Sequence, residues 1–270
     1  MRTNIFPWAG GKQRIIKHYL PHFPEGSIET YSEPFFGGGA MFAYVAERYD
    51  PKVAYLNDIK SDVMEIYISI QKHLSDFVTC LNEYEGAFLP LSATDRKTYY
   101  LELREANIQE REHWDLVRRA AVQHILLKTC YRAIWKDRRT DAGGFWASTG
   151  DVGRIRRLYD LKVLEYWNHI LTNREVHLMS EDWSKVPVCD FTYYDPPYRQ
   201  ASADYDHSFR DSELQKLIEL VETNSNVWLA NWDLGDGFFE KTSACIQRFD
   251  VRHALNNPSQ KTSREVLLAA

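Results

Sequence analysis

Cysteine is scarce in this chain of 270 residues: Cys80, Cys130, Cys189 and Cys245 stand far apart and never form a CxxC pair. That spacing argues against a zinc site or a disulfide framework and leaves free thiols as the expected state. No apolar run approaches the length that a membrane span needs. Met1 to Lys12 lacks the apolar core of a signal peptide, so the expected compartment is the cytoplasm. Internal repeats and low-complexity tracts are also missing. With 44% hydrophobic and 26% charged residues, a folded soluble protein is expected rather than a disordered one.

An excess of positive charge is missing too, since 33 Lys and Arg face 38 Asp and Glu for a net charge of -5. The total argues against a polyanionic partner, but the distribution matters more. From Arg111 to Lys162 there are twelve Lys or Arg against six Asp or Glu, a local balance of +6 that leaves -11 on the rest. Phosphate contacts need a basic surface only where a duplex would lie.

What is present is an α/β pattern in two blocks. Ser27 to Phe36 reads as a short strand entering a Gly-rich turn. Ala40 to Tyr49 reads as a helix, and Lys52 to Asn57 as a second strand with Asp58 at its end. The middle differs. Ser61 to Tyr84 spaces Val63, Ile66, Tyr67 and Ile70 three and four apart, and Leu116 to Trp135 is a second helical run. Lys136 to Gly150 reads as a loop, charged first and then aromatic at Phe145 and Trp146. Strand patterns return at Glu175 to Met179, Phe191 to Tyr194 and Val227 to Ala230. Between the last two, Ser212 to Glu222 is predicted as a helix capped by Ser212. Ala244 to Ala254 and Arg264 to Ala269 are expected to close the sheet as an antiparallel pair.

Two turns carry chemistry. Glu33-Pro34-Phe35-Phe36-Gly37-Gly38-Gly39 lies between strand and helix, where glycines let the backbone approach a ligand. Asp58 follows Gly37 by 21 residues, at the place where an acid suits a ribose with free hydroxyls. The turn is not GxGxxG and no Walker lysine follows, which favours an adenosine ligand without phosphates. The second turn, Asp195-Pro196-Pro197-Tyr198, follows an apolar strand. Its prolines fix φ and remove two N–H donors, so their carbonyls are free to point into a site. An aromatic amino nitrogen is a weak nucleophile because its lone pair is delocalised. A carboxylate and a backbone carbonyl accepting its two protons draw it toward tetrahedral geometry. Tyr198 is suited to stack on a base removed from a duplex.

With these segments the chain resembles the Dam-like N6-adenine DNA methyltransferases of the alpha group, in which cofactor, recognition and catalytic regions follow in that order. Pro7-Trp8-Ala9-Gly10-Gly11-Lys12 matches the family's N-terminal motif, Glu33 to Gly39 its cofactor loop, Asn57-Asp58 its ribose acid and Asp195 to Tyr198 its catalytic turn. The resemblance implies an α/β fold: a Rossmann-like class I methyltransferase sheet over 1–60 and 163–270, with an inserted, mostly helical DNA-recognition domain over 61–162. It implies S-adenosyl-L-methionine as cofactor, held by Trp8, Lys12, Glu33, Phe35, Gly37, Asp58, Asp182 and Asp195. Lys12 would pair with the cofactor carboxylate, and Asp182 would contact its adenine. Asp195 and the carbonyl of Pro196 would hold the target amino group, and Tyr198 would stack on the base. Asn231-Trp232 resembles a later strand end of the catalytic region, with Trp232 either a wall of the base pocket or an ordinary core tryptophan. Double-stranded DNA is the implied partner, with no metal, no membrane, and a monomer or weak dimer.

The middle departs from the pattern. Where relatives often carry Cys-Phe-Asn-Gly, this chain has Cys130-Tyr131-Arg132-Ala133, with Lys136 and Trp146 replacing an Arg and an Asn further on. Arg132, Lys136, Arg138 and Arg139 are the candidate DNA contacts, more often to phosphate than to guanine. The target sequence is left open, and GATC does not follow. Methylation of RNA adenine or cytosine N4 is the nearest alternative, and a non-catalytic nucleic-acid-binding protein on the same scaffold is a further one. With no nuclease region legible, a solitary bacterial or phage methyltransferase is expected.

Overall fold

The computed structural model describes residues 4–131, 146–199, 209–251 and 263–269. It divides into two compact units, Met1–Ala9 with Lys60–Asn173, and Gly10–Ile59 with Arg174–Ala270.

The second unit is built on a seven-stranded sheet. In chain order its strands are β1 (Thr30–Glu33), β2 (Val53–Asn57), β3 (Glu175–Met179), β4 (Phe191–Tyr194), β5 (Val227–Trp232), β6 (Cys245–Val251) and β7 (Ser263–Ala269). The spatial order is β3-β2-β1-β4-β5-β7-β6. The first five run parallel, and β7 enters antiparallel between β5 and β6. A parallel sheet with that reversed edge hairpin is the class I methyltransferase arrangement. β1 and β4 are neighbours, yet the chain leaves them toward opposite ends of the sheet. Their carboxyl ends therefore form the topological switch point, where open α/β sheets bind ligands.

Central parallel strands are covered on both faces, and β4 reads accordingly as an unbroken aromatic run, Phe191-Thr192-Tyr193-Tyr194, all buried. On one side Tyr194, Leu229, Val266 and Leu268 pack against Leu214, Leu217, Ile218 and Val221 of α8 (Asp211–Thr223). On the other, Trp228 meets Phe23 at 4.8 Å, Phe191 at 5.0 Å and Tyr19 at 6.2 Å between ring centroids. Tyr19 ends the short α1 (Ile16–Tyr19). α2 (Ala40–Tyr49) follows the Gly-rich turn as predicted, while α8 begins at Asp211 after Arg210, so Ser212 lies inside the helix rather than capping it.

The first unit is helical. The run predicted from Ser61 to Tyr84 is broken at His73 into α3 (Ser61–Lys72) and α4 (Leu74–Phe88). α5 (Ala93–Gln109) was not legible by period, because its fully buried positions are polar or isolated: Arg96, Tyr100 and Asn107. Arg96 donates to the carbonyls of Val152, Ile155 and Leu89, tying the turn at 152–155 and the end of α4 to the helix. α6 (Leu116–Thr129) ends well before the predicted Trp135, since the Cys130 backbone turns off to bridge Thr149. It is buried almost all round from Ala120 to Leu127, the mark of a helix at the centre of a bundle. α7 (Leu161–Thr172), not among the elements expected above, buries Val163, Leu164, Trp167, Ile170 and Leu171 at helical spacing. Ile5 and Phe6 are buried, and Phe6 packs edge-on against Tyr67 and His124, which places the first nine residues with these helices. Among the described residues, no helix is long and apolar enough to cross a membrane.

Candidate active site

The turn after β1 is held open by its own carboxylates. Gly37 and Gly39 have φ of 48° and 66°, left-handed values that a Cβ would strain. Gly39 is the N-cap of α2 and offers no side chain to the first free N–H groups. Glu33 supplies the acceptor instead, taking the Phe42 N–H at 3.0 Å and the Tyr31 hydroxyl at 2.8 Å. Burial pushes the Glu33 carboxyl well above its ordinary range. Asp58 accepts the Gly37 N–H at 2.8 Å, so the acid after β2 and the glycine after β1 meet directly. Asn57 braces the same corner, donating to the carbonyls of Pro34 and Glu181, both at 3.0 Å.

The turn after β4 meets a buried lysine. Lys12, in a single 3-10 turn (Lys12–Arg14), is 4% exposed. Its ammonium donates to Asp195 Oδ1 at 2.6 Å, to the Tyr198 hydroxyl at 2.5 Å and to the Gly10 carbonyl at 3.2 Å. Those contacts engage all three of its donors. The expected pairing of Lys12 with a donor carboxylate would require exchanging one of them. Despite its burial, the Asp195 and Glu265 charges raise the Lys12 pKa above the ordinary lysine value. Burial pushes Asp195 up to about 6, with Lys12 opposing the rise and Glu265 adding to it. Asp195 is therefore still ionised at neutral pH, but only by about one unit.

The remaining candidates fall unevenly. Pro196 is buried in the turn. Phe35 packs at right angles to Phe209, 5.5 Å between centroids, and edge-on to Tyr194 at 6.3 Å. Asp182 is exposed after β3, where it accepts the Ser184 N–H and hydroxyl and so caps a local turn. Those two bonds hold its carboxyl below the usual range. Trp8 belongs to the helical unit and packs edge-on against Phe6. Arg132, Lys136, Arg138 and Arg139 lie outside the described residues. Of the described cations in the basic stretch, Arg111 and Arg119 both pair with Glu65, while Arg154 and Arg157 pair with Asp151 and Asp160.

Two further residues brace the turn: Glu265, which carried no motif signal, and Asn231 of the Asn231-Trp232 segment named above. Glu265 on β7 is fully buried and accepts from the hydroxyls of Tyr198 and Tyr19. Asn231 at the end of β5 accepts the backbone N–H of Arg199 at 3.3 Å, pinning the exit of the Asp-Pro-Pro-Tyr turn. Trp232 beside it lies 6.0 Å from the Tyr198 ring, so two aromatic side chains stand together at the end of the sheet.

Comparison with known proteins agrees with this geometry. A family model described as D12 class N6 adenine-specific DNA methyltransferase matches residues 8–238. The type II methyltransferase M.MjaIII of Methanocaldococcus jannaschii is 30% identical over 200 residues, covering 71% of this chain and 68% of that protein. The type II methyltransferase M.CviBI of Paramecium bursaria Chlorella virus NC1A is 29% identical over 226 residues, 82% of this chain and 79% of its own length. The type II methyltransferase M1.LlaDCHI of Lactococcus lactis subsp. cremoris is 26% identical over 207 residues, 73% of this chain and 67% of its own. A class I methyltransferase sheet with an intact Asp-Pro-Pro-Tyr turn at its switch point, matched over 8–238, places the chain in the D12 class of N6 adenine-specific DNA methyltransferases.

Proposed function

We propose that this enzyme takes its methyl group from S-adenosylmethionine and delivers it to an adenine flipped out of duplex DNA, with Asp195 and the Pro196 carbonyl holding the amino group. The observation that carries this reading is the meeting of Asp58 with Gly37 on one side of the switch point and of Lys12 with Asp195 and Tyr198 on the other. The donor set fits the cofactor. Asp58, Asp195 and Glu265 outnumber Lys12 even with the Glu33 carboxyl drawn toward its neutral form, which favours a cationic sulfonium and disfavours a phosphate. S-adenosylmethionine, when bound, supplies an electrophilic methyl on positively charged sulfur.

The chain's own residues do the rest. Asp58 is placed to accept from ribose hydroxyls, and Phe35 and the Gly37 backbone line the same corner. Asp195, ionised above pH 6, accepts one amino proton and raises the electron density on the nitrogen. Positioning supplies much of the rate. After transfer the nitrogen carries one proton too many, and it passes to Asp195 or to solvent. Tyr198 and Trp232 flank the base.

Asp58→Ala tests the cofactor half. Loss of a carboxylate that accepts from the ligand removes roughly 1.5–3 kcal/mol, so KM for S-adenosylmethionine should rise about 10- to 100-fold. The rate at saturating donor should stay within a few-fold of the parent. Steady-state kinetics with varied donor checks this, and an unchanged KM removes Asp58 from the donor site.

A further inference from the structure

Glu265 lies opposite Trp232 in the register of β5 with β7, and its side chain is 0% exposed. A carboxylate at that depth costs several kcal/mol unless it is paired. Among the described residues its partners include the catalytic cluster and its neighbour. The Tyr198 hydroxyl donates to it at 3.1 Å, the Tyr19 hydroxyl at 3.0 Å, and the Lys12 ammonium lies 3.3 Å away. Tyr19 is itself 0% exposed and packs against Trp228, so Glu265 is fixed from the core outward.

We propose that Glu265 is a positioning residue for methyl transfer: it fixes the ring of Tyr198 through the hydroxyl and holds Lys12 against Asp195. This rests on the reading that Asp195 holds the target amino group. Anchoring a tyrosine hydroxyl fixes the direction of the ring's long axis, so the ring is held at the site before a base arrives. Lys12 is shared between two carboxylates.

Glu265 acts on Asp195 among several charged and titratable neighbours. Lys12 faces it from the N-terminal turn, Tyr19 from α1, Tyr31 and Glu33 from β1, Tyr193 from β4, and Tyr198 from its own turn. Lys12 lowers the Asp195 pKa, and the Glu265 charge raises it. Removing the Glu265 charge therefore moves the acid limb of kcat to lower pH, while loss of the anchored ring lowers the plateau.

Glu265→Gln, nearly the same shape without the charge, is the test. With the full chain, S-adenosylmethionine and an adenine-containing duplex, kcat on the plateau should fall, by up to about 10²-fold for a displaced stacking ring. KM for the donor should change little, and the acid limb should shift downward. Glu265→Asp keeps the charge and shortens the reach, so its kcat falls with the limb in place. Should the glutamine variant not fold, the aspartate variant decides alone. Parental kcat together with an unmoved limb in Glu265→Gln, or parental kcat in Glu265→Asp, overturns the proposal. Asp195→Ala assayed in parallel separates the two levels. If that variant is active, the reading beneath fails. If it is inactive while Glu265→Gln behaves as the parent, only the role of Glu265 fails.

Discussion

Asp195→Ala is expected to lower methyl transfer to adenine by about 10²- to 10³-fold, the scale of losing a preorganised group aimed at charge that develops in the transition state. The amino nitrogen is a poor nucleophile until its protons are engaged by acceptors, and in the proposed mechanism Asp195, after the end of β4, is the carboxylate that accepts one. Its removal leaves Asp58, Gly37 and Phe35 untouched, since these belong to the turn after β1 and the end of β2. Binding of S-adenosylmethionine by calorimetry should therefore remain measurable while single-turnover transfer disappears. Transfer at the parental rate would remove Asp195 from the chemistry. Loss of donor binding together with activity would mean that Asp195 serves the donor rather than the base.

Lys12→Met should be damaging in a different way. The ammonium lies 2.6 Å from Asp195 and 3.3 Å from Glu265, and burial leaves the two carboxylates little water to replace it. Breaking a buried ion pair by removing one partner costs about 3–5 kcal/mol. For a chain of this size that corresponds to a Tm lower by about 6–20 °C. Activity changes with its own sign. Lys12 lowers the Asp195 pKa, so its loss raises it, and a larger share of Asp195 is protonated at neutral pH. The acid limb should move upward, opposite to the shift expected for Glu265→Gln. Thermal unfolding and a kcat–pH profile check both parts. An unshifted limb in a folded Lys12→Met protein would show that Lys12 does not set the charge of Asp195.

Much of the sheet was readable because its signals are local. β3 and β4 match the bounds expected from sequence: β4 is a short aromatic run, and β3 sets apolar Val176, Leu178 and Met179 alongside a glutamate and a histidine, each bounded by turns. The two turns at the switch point were readable for the same reason: glycines with positive φ, and an aspartate before two prolines, have few other uses. The helical unit was harder. α5 buries an arginine and an asparagine rather than an apolar stripe, so only the Ser92–Asp95 cap marks it in sequence. The break at His73 depends on packing, because both flanking segments keep a helical period. Glu265 shows the sharper limit. It sits 67 residues after Tyr198, next to Arg264 at the entrance to an apolar strand, and nothing local says that it faces a lysine from the start of the chain. Such a partner becomes visible only when β7 is inserted beside β5.

The pH dependence of single-turnover transfer bears on the charge state of the whole cluster. With labelled S-adenosylmethionine and an adenine-containing duplex, digestion to nucleosides should place the label on N6-methyladenine. The rate should be flat above neutrality and fall about tenfold per unit below the Asp195 pKa of about 6, as protonation removes the acceptor for the amino group. A rate that stays level down to pH 5, or label recovered on cytosine, would contradict the role given to Asp195.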